Sequence, residues 1–503
     1  MGFSAYNQEN RVRRVNQKPE FKNGKYILYW MQAYRRLDWN HSLDFAIHKS
    51  IEMKKPLVIY EGLRMDYKWN SSRIHKFILD GIIDNESRAK KLGIHYWPFV
   101  ETKENSAKGI LRSITKDACL VVTDDFPAFI IPDQIERANQ FLECAFFAVD
   151  SNCMIPLGLY GEVASAARIL RYRVHKLFAQ SYVHRANPSP NFQEIVNAKL
   201  SPPFRVFHSS QKQLESVLQN IDFSNSVLPV KDVIGGTTEA KKLLKSFLEK
   251  SLTHYGDLRS NPNPPENTPS SFLSPYLHFG HISVEEIVTE VLNFGMKKKW
   301  TPDLLNSSFS GKRESFFHKE KFVNSFLDEL ITWRDVGYLL FWKKKEFSKD
   351  LEVLPDWIKD NYKKHAEDSR EYLYTLEEFE NAKTHDPLWN AAQLELIHTG
   401  RMHNYMRMLW GKKVIEWSAT YKEAFDTLEY LNNKYAYDGR NPNSYTGILW
   451  CFGLFDRPWF PERNVFGTVR YMSSDSTKKK FKMDSYLQYI KKLSNKEKNL
   501  FGD

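Results

Sequence analysis

Five short apolar runs, separated by helical patterns, constrain the N-terminal part of this chain more than any other feature. "KYILYW" (25–30), "KPLVIY" (55–60), "IHYWPFV" (94–100), "ACLVVTD" (118–124) and "CAFFAVD" (144–150) are rich in β-branched and aromatic residues. Longer stretches with helical periodicity lie between them, of which "SSRIHKFILDGIIDNESRAKKLG" (71–93) is the clearest. Strands that alternate with helices need crossover connections. These build a mostly parallel sheet that receives ligands at the C-terminal ends of its strands. No GxGxxG follows the first run, so the usual dinucleotide fingerprint is absent. The expected N-terminal unit is an α/β domain over 1–150.

The pattern then loosens. "HRANPSPNF" (184–192) and "LSPPFRVF" (200–207) carry prolines that interrupt regular structure, and 151–236 reads as a connection between two domains. "IGGTTEA" (234–240) starts a helix, with Thr237 or Thr238 as its N-cap. Beyond it the periodic segments are helical: 237–255, 283–296, 319–344, 375–382, 387–398, 402–418, 421–433 and 484–493. The second domain, 237–503, is expected to be all-α, with no internal repeat.

Hydrophobic residues make up 42% of the chain and charged residues 26%, which excludes a disordered chain. Cys119, Cys144, Cys153 and Cys451 show neither zinc nor disulfide spacing and read as reduced, buried thiols. No apolar run spans a membrane and the N-terminus has no apolar signal core, so an intracellular, monomeric protein is expected. The net charge of +11 suits either a polyanionic partner such as nucleic acid or a merely basic enzyme. The runs Lys297–Lys299, Lys343–Lys345 and Lys478–Lys480 read as solvated helix ends.

"THDPLWNAAQLELIHTGRMHNYMRMLWGKKVIEW" (384–417) holds three tryptophans. Asp386 is an N-cap before Pro387, Gly400 is a C′ residue, and a second helix begins near Arg401 or Met402. Trp410 and Trp417 are seven residues apart and share a helix face, with Cα atoms roughly 10 Å apart. Trp389, on the preceding helix, can fold back onto them. Such rings serve either as core or as a relay for single electrons.

The surrounding residues add a resemblance. The same stretch, with "YLNNKYAYDGRNPNSYTGILW" (430–450) and "VFGTVRYM" (465–472), resembles the C-terminal half of class II cyclobutane pyrimidine dimer photolyases. "FLSPYLHFGHIS" (272–283) is similar to their flavin-phosphate segment, "SFLDELITW" (325–333) to their substrate-facing helix, and "YILYWMQAYRRLDWNHSLDFAI" (26–47) to their opening strand and helix. The resemblance implies a Rossmann-like antenna domain before a helical FAD domain. It also implies light-driven repair of UV-damaged DNA, and a deazaflavin-type antenna chromophore is compatible with it. A cryptochrome-like photoreceptor with little repair activity is the alternative.

By resemblance, Tyr255, Ser271, Leu273 and Ser274 match the phosphate and ribityl region, Arg407 and Asp438 sit beside the flavin ring, and Phe272 and Gly439 join them as cofactor-binding residues. Asn432 matches the residue facing flavin N5, although Asn433 beside it leaves a one-residue ambiguity. Glu329, Trp333, Met408 and Trp450 match the pocket for the flipped dimer, and Arg259 lies near cofactor and DNA. Glu329 and Trp333 also fit one face of an ordinary amphipathic helix. Trp389, Trp410 and Trp417 match the family's electron-transfer tryptophans, without a hopping order. Ser260, Asn404, Asn441 and Ser444 depart from the family's common residues.

Overall fold

The computed structural model describes residues 3–263, 268–344 and 350–501. A short strand, β1 (Val12–Arg14), precedes the five apolar runs, which form β2 (Tyr26–Met31), β3 (Leu57–Leu63), β4 (His95–Val100), β5 (Ala118–Asp124) and β6 (Ala145–Val149). Their order is β1-β6-β5-β2-β3-β4, parallel except where β1 runs antiparallel to β6. β2, β5 and β6 are buried along their whole length, because helices cover both sheet faces. That is why these runs show no polar alternation. β1 has no such run to announce it: two of its three residues are exposed arginines, and Arg13 is tied to Asp125 by two hydrogen bonds of 2.8 and 2.9 Å.

The chain lays β3 and β4 on one side of β2, then returns to place β5 and β6 on the other. In open sheets of this kind ligands enter the crevice at that reversal. Here the crevice is filled by the protein itself. Asp124 Oδ2 accepts the backbone N–H groups of Gln32, Ala33 and Tyr34 at 2.9, 2.7 and 2.9 Å, while Oδ1 accepts the Tyr29 hydroxyl at 2.7 Å. Gly280 of the helical part lies directly on this loop with φ +71°, and a Cβ there would come within 1.9 Å of Ala33 O. The docking of the two parts therefore requires glycine.

The stretch 151–236 is more regular than its sequence suggests. It contains the helix Ala167–Val183, whose Leu170, Val174 and Phe178 recur every four residues and are buried. The interrupting prolines all fall after it. The helix Thr237–Lys250 starts where expected, but neither threonine side chain is its N-cap. Gly236 occupies that position, and Asp84 of the helix Ser72–Leu92 accepts the Thr238 N–H at 2.9 Å and its hydroxyl at 2.6 Å. The cap comes from a distant segment, which local reading could not supply.

The C-terminal region is helical. Asp386 caps Pro387–Thr399 by accepting the N–H groups of Leu388 and Trp389, and Gly400 closes it at φ +67°. The next helix, Asn404–Trp417, begins later than Arg401 or Met402, because His403 Nδ1 caps it by accepting the Tyr405 N–H at 3.2 Å. The stretch 319–344 is not one uniform helix: Lys321–Leu327 passes through a π turn, Asp328–Trp333, into Arg334–Lys343. Lys345, the last of that basic run, lies outside the described residues. The helices Asp356–Lys364, Pro442–Cys451 and Ser474–Phe481 were not legible as periodic segments. The second of them has weak helix formers (Asn, Ser, Tyr, Thr, Gly) through its first half.

The two parts are joined by buried charge. Arg11 and His41 both reach Glu285, at 3.1 and 2.9 Å. Arg73 donates to Tyr435 O at 2.9 Å and Ile397 O at 2.7 Å, placing a cation over the last carbonyls of Tyr421–Tyr435 and Pro387–Thr399. All four cysteines are free and buried. Among the described residues no helix is long and apolar enough to cross a membrane.

Candidate active site

The helix Asn404–Trp417 organises the site, since Arg407, Met408 and Trp410 leave it toward three different neighbours. Trp410 meets the tryptophan stack. Trp389 lies 6.4 Å from it, nearly parallel at 8°, and 6.2 Å from Trp417 at 65°. The earliest tryptophan in sequence is thus the middle ring in space. Trp389 Nε1 donates to Trp410 O and Trp410 Nε1 to Gln393 Oε1, both at 3.0 Å, so the N–H groups of these two buried indoles are paired. Tyr374 and His385 continue the aromatic contacts beyond Trp417, at 5.8 and 4.9 Å.

Arg407 leaves the helix toward Asp438, at 3.3 Å. Burial alone would raise the Asp438 carboxyl, but Arg407 and the Ser274 hydroxyl hold it below the usual carboxylate range. His278 is half-buried, its Nδ1 is buried without a hydrogen-bond partner, and desolvation together with Arg440 keeps the ring neutral. Phe272 adopts φ +54° and remains 39% exposed, with the Arg401 guanidinium 5.0 Å from its ring centre. Arg401 Nε is buried without a partner. Leu273 is buried, and its N–H reaches Ser271 Oγ at 3.4 Å. Ser271 to Ser274 are therefore brought to the same place as Arg401, Arg407 and Asp438. The result is a cradle with two cations and several polar atoms that the protein does not satisfy.

The adjacent asparagines have separate tasks. Asn433 accepts the Arg440 N–H at 2.8 Å, donates to the Tyr445 hydroxyl at 3.2 Å, and offers its carbonyl to the Arg440 guanidinium at 2.8 Å. Asn432 makes one long amide contact, 3.4 Å to Asn433, and its oxygen accepts no bond from the described residues. The Asn432 carboxamide is thus the less engaged of the two. Gly439 crosses the end of this helix so closely that a Cβ would lie 2.9 Å from Asn432 O.

Glu329 sits in the π turn and pairs with Arg259 at 2.7 Å. Burial lifts its carboxyl to about 7; Arg259 opposes the shift and Asp328 adds to it. Asp328 itself faces inward, gripped by Arg171 at 2.6 and 2.8 Å, and accepts the Trp333 indole N–H at 3.1 Å. The half-buried Trp333 and Trp450 rings stand 5.1 Å apart at 46°. Met408 reaches the same helix as Trp450 through Cys451, 4.0 Å between sulfurs. Tyr255 lies beside this group, with burial and the Glu329 charge raising its hydroxyl pKa and Arg259 opposing. His403 Nε2 bonds Arg259 O at 3.0 Å and so links this pocket to the helix of Arg407 and Trp410.

Several residues of the site carried no clear sequence signal. Arg171 and Arg313 stand 6.0 and 5.6 Å from the Trp333 ring, contributed by distant segments. The loop after Phe455, itself 5.8 Å from Trp450, exposes Phe460 at 77% and holds Trp459 between Arg457 and Arg470. Its signal, "DRPWFPER" (456–463), is an aromatic pair set between prolines and arginines.

The two-part architecture defines a class. The chain superposes on a bacterial class III photolyase from Agrobacterium tumefaciens with TM-score 0.65 at 17% identity, covering 93% of this chain and 86% of that one. It superposes on a Synechocystis cryptochrome with TM-score 0.64 at 14% identity, covering 92% and 88%. These likenesses show the shared fold, an α/β sheet domain followed by a helical region. No family model matches the chain. The deoxyribodipyrimidine photo-lyase of Methanothermobacter thermautotrophicus is 32% identical over 497 residues, 96% of this chain and 98% of that protein. The enzyme of the same name from Arabidopsis thaliana is 30% identical over 483 residues, 93% and 89% of the two chains. The chain belongs to the photolyase/cryptochrome family, as an enzyme of the deoxyribodipyrimidine photo-lyase type.

Proposed function

We propose that this protein is a class II photolyase that reverses cyclobutane pyrimidine dimers in UV-damaged DNA, with FAD as its cofactor. One observation carries the reading: a single helix, Asn404–Trp417, joins the Arg407–Asp438 cradle, the tryptophan stack and, through Met408 and His403, the Glu329–Trp333–Trp450 pocket. The cradle fits FAD. The Ser271–Ser274 segment and Arg401 suit a diphosphate, Arg407 suits a negatively charged reduced flavin, and Asn432 has a free carboxamide oxygen. When bound, FAD supplies the light-driven one-electron chemistry that the side chains cannot.

The protein's own groups position the reactants. Asp438 fixes the Arg407 guanidinium. Trp333 and Trp450 offer aromatic walls to an extruded lesion, whose poor stacking lowers the cost of flipping. Glu329, with a carboxyl near 7, can present a proton to a base carbonyl while Arg259 holds it in place. Arg457 and Arg470 beside the exposed Trp459, with Arg463 over Tyr471, supply cations for backbone phosphates at the pocket rim. Trp410, Trp389 and Trp417, in that spatial order, would carry single electrons between solvent and bound FAD. An antenna chromophore, where one is bound, needs a place other than the crevice that Asp124 fills.

The test is direct. The flavin-loaded protein is reduced anaerobically, mixed with an oligothymidine carrying one cyclobutane dimer, and illuminated. Light-dependent recovery of thymine absorbance is expected. A flavin that photoreduces without repairing the dimer would point to the photoreceptor alternative.

A further inference from the structure

Beyond the active site, a cleft of about 1140 Å³ lies between the two parts of the molecule. One wall is the segment that follows the C-terminal end of β3, with Tyr67 and Trp69; the other is the helix Tyr421–Tyr435 together with Tyr374. Trp69 and Tyr430 meet edge to face at 5.5 Å, and Lys68 covers the Trp69 ring at 4.6 Å. The rim is acidic. Asp66, Asp222, Glu423, Asp426 and Glu429 line the cleft with one cation, Lys68, although Arg64, Lys103 and Lys422 just outside the lining pair with Asp66, Asp222 and Asp426. Glu423 and Glu429 have no ion pair among the described residues. Such a lining disfavours phosphate-bearing ligands. It favours a planar ring that carries amino groups.

The floor of the cleft coincides with the end of the tryptophan stack. Tyr374 lines it, donates its backbone N–H to Trp417 O at 3.1 Å, and packs its ring 5.8 Å from that indole. Ser418, the next residue after Trp417, lines it as well. A ring bound here is one aromatic contact away from Trp417.

We infer that this cleft binds a planar aromatic amine that acts as a one-electron reductant for the Trp410–Trp389–Trp417 stack. The inference rests on the flavin-reducing role proposed above. The ligand loses one electron and becomes a radical cation. That electron fills the vacancy left on Trp417 when the stack has reduced the flavin, and no bond breaks. The carboxylate rim stabilises the positive charge that forms.

Tetramethyl-p-phenylenediamine is a suitable probe, because it is a planar diamine whose one-electron oxidation product is coloured. In the dark, equilibrium dialysis against the full-length protein is expected to show saturable binding, weakened about tenfold by Trp69→Ala through loss of ring stacking. In light, the rate of flavin reduction is expected to saturate with the diamine but to rise linearly with ascorbate, an anion that the rim excludes. The exposed double variant Glu423→Lys/Asp426→Lys should weaken diamine saturation while speeding reduction by ascorbate. Linear dependence on both donors, or saturation unchanged in both variants, overturns the inference and leaves the proposed function standing. Failure of the flavin-loaded wild type to photoreduce with either donor would instead overturn the role of the stack.

Discussion

Replacing Trp450 with Ala isolates the work of the lesion pocket. Its ring is half-buried, with Trp333 at 5.1 Å and Phe455 at 5.8 Å as its aromatic neighbours. A base stacked on an aromatic side chain contributes about 1–3 kcal/mol, so losing this wall should weaken binding of dimer-containing DNA by roughly 5- to 150-fold. Undamaged DNA offers no extruded base and relies on phosphate contacts, so its affinity should hardly change. Trp450→Phe keeps a ring and should recover most of the loss. Fluorescence anisotropy with matched oligonucleotides, at one fixed salt concentration, measures the ratio of the two affinities. Equal weakening for damaged and undamaged DNA would refute the assignment, because it would make Trp450 a general support of the DNA surface.

Trp389→Phe should suppress photoreduction of bound flavin more than its position in sequence suggests, since Trp389 bridges the other two rings. Repair by chemically reduced enzyme should survive, and the lost bond to Trp410 O should cost only about 1 kcal/mol in a denaturant melt. Glu329 has its carboxyl raised to about 7, so its proton, and the stability linked to it, is fully present below pH 4.5 and lost as pH rises through 7. Repair yield should fall over that rise in the wild type and stay level in Glu329→Gln; parallel profiles would exclude a role for the proton. Asn433→Ala should lower the melting temperature while leaving the flavin spectrum intact, because Asn433 holds Arg440. Asn432→Ser should do the reverse, changing how long photoreduced flavin persists in air.

The parts of the fold that were legible depend on local chemistry. Buried strands need continuous apolar runs, so all five could be read, and Asp386-Pro387 and Gly400 bounded their helix through their own backbone preferences. What could not be read depends on partners distant in sequence. Asp84 caps a helix that begins 153 residues later at Thr237, and β1 is recognisable only beside β6. The same division holds in the site. The intervals between the tryptophans were visible, but the middle position of Trp389 needed the packing of two helices. That Arg440 engages Asn433 and not Asn432 was likewise not legible in the sequence, where the two are adjacent and identical.

The π turn at Asp328–Trp333 makes one continuous rod serve two masters. Its near end sends Glu329 and Trp333 to the pocket, while the residues just after it, Arg334 and Asp335, are locked into the domain junction by Cys153 and Tyr160 at 3.4 and 2.6 Å. A helix advances about 100° per residue, so a regular helix with one residue fewer could satisfy one set of directions but not both. The turn therefore fixes an angular offset between pocket and junction. Any slackening of that junction would rotate the glutamate and the tryptophan together, turning a remote packing defect into a misaimed pocket.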